Sequence, residues 1–105
     1  MTSREPATFI HDTEHIVEVN DAACELFRCH REDLVGLKFT ELIVSDDFRG
    51  LAKLRMAQWK TGKIPMQPFR YKCRRFDGSI MWVSTMTKHL SDGRLETIVT
   101  GEGKA

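Results

Sequence analysis

Neither charge sign dominates this sequence. Sixteen Lys and Arg face fifteen Asp and Glu over 105 residues, a formal net charge of +1. Without a prevailing field the chain has no general attraction for nucleic acid or an anionic membrane. Uninterrupted apolar runs are only a few residues long, so no helical membrane span is expected. The opening Met1–Pro6 is polar and lacks the apolar stretch of a secretory signal. Cysteine is sparse and odd in number: Cys24, Cys29 and Cys73 follow no disulfide-framework spacing. With no signal sequence, these read as reduced thiols in a cytoplasmic protein. Cys24, Cys29 and His30 match neither a CxxC zinc pair nor a CxxCH haem attachment, so no metal site is expected. The three Pro and seven Gly are scattered, with no repeat or linker among them. Catalytic signatures are missing too: there is no recognisable nucleophile triad, phosphate-cradling glycine loop or HExxH. His11, His15, His30 and His89 fall in turns, at a helix start or on a late strand, and read as surface groups.

What remains is an ordinary globular composition, 41% hydrophobic and 30% charged, enough for one small domain with one core. Ala7–Ile10 and the β-branched Ile16–Val19 read as two strands around a polar turn. Asn20 or Asp21 can cap the helix that Ala22–Phe27 suits. His30–Gly36 reads as a second short helix stopped by Gly36, and Phe39–Val44 as a third. Ser45-Asp46-Asp47 opens the longest helical candidate, Phe48–Thr61, closed by Gly62 and Pro65. Beyond Pro68 the period changes to two. Phe69, Tyr71 and Cys73 share one face, and Arg70, Lys72 and Arg74 the other. Turns at Phe76–Ser79 and Ser91–Arg94 bound a long strand, Ile80–Leu90, and a last one, Leu95–Thr100. Two strands, several helices, then a three-strand meander describe an α+β domain with helices on one face of an antiparallel sheet.

In this order and spacing the sequence resembles the PAS domain family. The pieces are Asp12; Ile16-x-x-Val19-Asn20-Asp21-Ala22-Ala23; Arg31-Glu32-Asp33-Leu34-Val35-Gly36; Asp46-Asp47; Gly62; Tyr71 through Val83 around Phe76-Asp77-Gly78-Ser79; and Asp92-Gly93. Arg28 departs from it, standing where many members have Gly after a Leu-Phe pair. Val44-Ser45 replaces a common His-Pro, and Gly101–Ala105 replaces the usual Asp-Ile-Thr tail. The resemblance implies a single PAS domain over residues 1–105, with its core at about 7–101. It implies a five-stranded antiparallel sheet in the order 2-1-5-4-3, with helices on one face and a ligand pocket between them.

By that pattern the Val83 face of the late strand points inward. Strand periodicity and the arc of the long helix (Phe48, Leu51, Ala52, Leu54, Trp59) then place Phe39, Leu42, Leu51, Leu54, Tyr71, Cys73, Val83 and Thr85 around a small apolar interior. Arg55 and Gln58 lie inside the arc as polar handles for a ligand; the competing reading has Arg55 snorkelling to the rim and Gln58 bonding to backbone. The long helix contains no His, which argues against haem. Phe39–Ile43 contains no Cys, which argues against a covalent flavin. Trp82 and Met86 fall on the outer sheet face. Six residues before Ala7 are too few for a long covering helix, so these two are candidates for a homodimer interface. Packing of Trp82 against neighbouring Arg stems is the alternative. Arg70, Lys72, Arg74 and Arg75 read as a solvated face, not a nucleic-acid stripe. The resemblance thus implies a colourless sensory or regulatory module of a two-component kinase, diguanylate cyclase or transcriptional regulator. It would bind a small molecule, dimerise, or both, and act on an attached or partner effector domain. A ligand-free interaction module is the alternative, and an enzyme the least favoured reading. An isolated domain of this kind is unusual, so the chain is expected to belong to a longer protein.

Overall fold

The chain folds in the order β1 (Ala7–His11), β2 (Ile16–Val19), α1 (Asp21–Phe27), α2 (Arg31–Leu34), a 3₁₀ turn (Phe39–Leu42), β3 (Phe69–Arg74), β4 (Ile80–His89) and β5 (Leu95–Lys104). This is a computed structural model that describes residues 6–12, 14–44, 50–54, 57, 58, 61 and 69–104. Residues 50–54 and 57–58 are helical, within the long helix expected from the sequence. Phe48, Arg55, Trp59, the Asp46-Asp47 start and the Gly62 and Pro65 stops lie outside the described residues. No described helix is long and apolar enough to cross a membrane.

The sheet order is β2-β1-β5-β4-β3, as expected, and every neighbouring pair is antiparallel. Alternation decides which face is buried. Ala7, Phe9 and His11 of β1, Tyr71 and Cys73 of β3, Met81, Val83 and Thr85 of β4, and Leu95, Thr97 and Val99 of β5 all turn inward. The ladders bring them into rows across strands: Ala7, Val99, Thr85 and Phe69 form one, and Gly101, Val83 and Tyr71 the next. Phe27, Leu34, Phe39, Leu42, Ile43 and Ala52 close over this face from the helical side. Rings pack edge to face at its centre: Phe9 stands 5.5 Å from both Phe27 and Phe39, and Phe39 stands 6.5 Å from Tyr71. Such pairs add to area burial because each ring's positive edge meets a negative face.

Three boundaries differ from the sequence expectation. The third helix is a 3₁₀ turn of four residues, after which Ile43 bridges to Cys73. The last strand runs to Lys104 instead of Thr100, because β4 is long enough to offer partners: Val83 pairs Gly101, and beyond a bulge Trp82 pairs Gly103. Gly101 faces inward beneath α1. A Cβ there would meet Leu26 Cδ1 at 2.9 Å, so the helix leans on a position with no side chain. His11 is an inward-facing residue of β1 and not part of a surface turn.

Asn20 resolves the choice of cap. Its side-chain oxygen accepts from Ala23 N–H and Thr8 N–H, both at 3.0 Å, and its amide donates to Pro6 C=O at 2.8 Å. One carboxamide thus starts α1 and fastens it to β1. At the other end Arg28 takes the left-handed conformation, φ 57°. Its N–H donates to Glu25 C=O at 3.3 Å, and Cys29 N–H donates to Cys24 C=O at 3.1 Å. This pair of bonds is the Schellman termination, which favours Gly because a Cβ crowds the backbone there. The missing Gly at this position is therefore a real departure: Arg28 holds a glycine conformation. Its guanidinium lies 3.2 Å from Asp77.

Replacing Arg28 with Gly should stabilise the domain by about 1 kcal/mol, the left-handed strain outweighing the exposed ion pair. Urea unfolding of the two proteins measures the difference, and a lower midpoint for Arg28→Gly would contradict the argument. Asn20→Ala should cost about 1–2 kcal/mol, at the upper end for a cap because two further backbone groups lose their partner; the same titration reads it.

Candidate functional site

The interior predicted for a ligand splits into two groups. Phe39, Leu42, Tyr71, Cys73, Val83 and Thr85 are all buried on the inner face. Leu51 and Leu54 are not with them. They are 48% and 65% exposed, and the helix turns Ala52 inward instead. The apolar arc contains both, but of these positions only Ala52 joins the buried core. Gln58 is also exposed, and Arg55 lies outside the described residues.

Polar side chains also line this face. His11 is 1% exposed, with its ring 5.6 Å from that of Phe39. Its Nε2 lies 2.7 Å from Thr97 Oγ1, and Thr97 Oγ1 lies 2.8 Å from Thr87 Oγ1. One row away, Thr85 Oγ1 donates to Phe69 C=O at 3.0 Å, and Tyr71 is buried on the adjoining β3. Polar side chains from β1, β5, β4 and β3 therefore run across an otherwise apolar face. Alternation from Ala7 and Phe9 already puts His11 on the inward side, so the signal was present; its polar neighbours Asp12–His15 masked it. Burial lowers the His11 pKa to about 4, a little countered by Asp12. Burial alone drives the Cys73 thiol far above its usual range, and burial is the main cause raising Tyr71. Burial thus favours the neutral form of each of these groups.

Two open clefts flank the β3–β4 turn. One, of about 360 Å³, lies where α1 meets the ends of β1 and β5 and is bordered by Ala22, Leu26, Arg28, Arg75, Val99 and Gly101 among others. The second, of about 370 Å³, is bordered by Leu37, Glu41, Leu42, Arg74, Arg75, Phe76 and Gly78. Among the described residues, Leu42 alone of the predicted pocket residues borders either. On the outer face Trp82 is half-buried, with the Arg70 guanidinium 5.1 Å and the Lys72 ammonium 5.2 Å from its ring centre. Met86 is 43% exposed. No group of three potential metal ligands occurs among the described residues.

The PAS domain model matches residues 5–100. The chain belongs to the PAS domain family. Among solved structures it is similar to a domain of a sensory box sensor histidine kinase/response regulator from Geobacter sulfurreducens, with 21% identity, TM-score 0.78, and 93% of this chain and 84% of that one covered. The PAS domain, in complex with ethanol, of a LuxR-family transcriptional regulator from Burkholderia thailandensis is similar at 18% identity and TM-score 0.76, over 94% and 90% of the chains. So is the LOV domain of the blue-light activated histidine kinase EL346 from Erythrobacter litoralis, at 18% identity and TM-score 0.80, over 97% and 100%. At these identities the likeness establishes the PAS fold. No curated protein matches the chain significantly.

The described part of this PAS interior is packed with aromatic rings. Phe39 lies edge-on between Phe9 and Tyr71, so the chain's own rings fill the space against β1 and β3. Cys73 is the cysteine on this face, and its thiol is buried in a strand with its acidity suppressed.

The His11 shift has a definite sign. Its folded pKa lies below the unfolded 6.5, so the unfolded chain binds the proton more readily and acid favours unfolding. Stability should fall as pH drops from about 6.5 towards 4, by about 2 kcal/mol between pH 7 and pH 5. Urea midpoints across that range measure it. His11→Gln should flatten the profile; an unchanged slope would place the titration elsewhere.

Proposed function

We propose that the chain is the sensory or regulatory module of a signalling protein, such as a histidine kinase, diguanylate cyclase or transcriptional regulator. In this reading it has no catalytic turnover of its own and communicates with its effector through the outer sheet face. The observation that carries this reading is the contrast between the faces. Helices cover the inner one, whereas the outer one leaves Met86 at 43% exposure beside Ile98 in register. Full burial of a Met side chain contributes about 1.5–3 kcal/mol, and association costs rotational and translational freedom, so a weak homodimer fits best. Trp82 is partly covered by its own cations, and Arg70 is held 2.9 Å from Glu102. Met86 therefore sits at the centre of the proposed contact, with Trp82 and its cations at the rim, where like charges need not meet.

On the inner face, the His11–Thr97–Thr87 and Tyr71–Thr85 groups are the polar contacts for a small neutral ligand, against Phe39, Leu42, Cys73 and Val83. The ethanol held by the Burkholderia domain illustrates the size class. The packed rings favour a second reading, an interaction module that binds no ligand. Native mass spectrometry of the purified protein separates the two: a stoichiometric small adduct supports the first, a bare chain the second. Sedimentation over a concentration series tests the interface. The wild type should self-associate, Met86→Glu should be monomeric, and Trp82→Ala should be weakened. A wild type monomeric throughout would remove the outer face from the proposal.

A further inference from the structure

Cys24 and Cys29 serve neither the proposed ligand face nor the outer sheet face, yet their placement is specific. The termination of α1 puts Cys24 three positions inside the helix end and Cys29 immediately beyond left-handed Arg28. The hydrogen bond joining them, Cys29 N–H to Cys24 C=O at 3.1 Å, is the wide bond of the Schellman motif. In that motif the side chains of these two positions turn towards each other, which is why an apolar contact so often joins them. Here both are thiols, and both are partly exposed. A backbone bond of this kind brings two Cα atoms into the separation of roughly 4.4–6.8 Å that a disulfide requires.

We propose that Cys24 and Cys29 form a redox-modifiable dithiol that closes into a disulfide across the end of α1. The oxidant is a low-molecular-weight disulfide. One cysteine loses its proton to solvent, and its thiolate attacks a sulfur of that molecule, expelling one small thiolate and forming a mixed disulfide. The second cysteine, deprotonated in turn, attacks the protein-side sulfur and expels the other small thiolate. The protein gives up two electrons and two protons, and the small disulfide becomes two thiols. Either thiol can attack first: burial raises the Cys24 pKa, a rise that Arg31 opposes and Asp21 and Glu32 add to. Cys29 is pushed up to about 11 by burial and by Cys24 itself, which places the two thiols within each other's field. Such thiols react slowly at neutral pH, so the pair records a sustained oxidising poise instead of a brief pulse. The turn that closes is coupled to the β3–β4 hairpin, since Phe27 C=O accepts from Phe76 N–H at 2.9 Å and Arg28 pairs with Asp77.

The test uses the full chain, first reduced, then equilibrated at mildly alkaline pH in mixtures of reduced and oxidised glutathione. The expected product has lost two hydrogens by intact mass and carries no glutathione. Trypsin, cutting after Arg28 inside the ring, should leave two peptides joined until a reductant parts them. Cys24→Ser and Cys29→Ser should each retain one glutathione as a mixed disulfide, while Cys73→Ala should behave as wild type. Wild-type chains that take up two glutathiones without an internal bond, stay reduced at every ratio, or link through Cys73 would each overturn the proposal.

Discussion

The Asn20 carboxamide is the joint on which the arrangement turns. It accepts two backbone N–H groups and donates to a third backbone group. Those groups belong to β1, to the residue before it and to the first turn of α1. A Ser or Asp at this position would cap the helix equally well but could not also supply the amide donor that reaches Pro6. With α1 fixed to β1, Phe27 is delivered edge-on to Phe9, Leu26 over Gly101, and the start of the next segment against the β3–β4 hairpin. The inner face of the sheet is thus roofed from one corner, and the aromatic packing continues from there through Phe39 to Tyr71.

Most of the fold could be read from period and punctuation. The strict alternation of Tyr71, Cys73 and then Met81, Val83, Thr85 survives as burial because β3 and β4 pair without slippage from Phe69 to Arg74. The glycines at positions 36, 78 and 93 all take positive φ at the ends of elements, where the sequence put its stops. What the sequence did not reveal was extent. Residues 101–104 carry two glycines and two charges and have no strand propensity to speak of; they become strand because β4 supplies partners.

The candidate site was less legible, for a reason that lies in geometry. An apolar arc on a helix says that one side is inward, not which residue meets the packed wall. Leu51 and Leu54 flank that line while Ala52 occupies it. His11 was hidden in the opposite way. A titratable residue beside a polar turn suggests surface, but a strand's pleat is indifferent to chemistry, and Thr97, itself bonded to Thr87, was waiting across the ladder to meet the ring's Nε2. Arg28 is the counter-example, because there a departure at a single position corresponded to a measurable backbone state, φ 57°.

The pairing of β1 with β5 has a consequence for the chain while it is being made. β4 and β5 are joined by a short turn and can zip as soon as they exist, but β1 meets its central neighbour only through contacts such as His11 with Thr97, 86 residues apart. Closing so wide a loop is an entropic toll that local hairpins never meet. On the ribosome, β1, β2 and α1 emerge first and must wait, their apolar faces provisional, until residues 95–99 arrive. The middle of the sheet is the last part to be completed, although its two strands come from opposite ends of the domain.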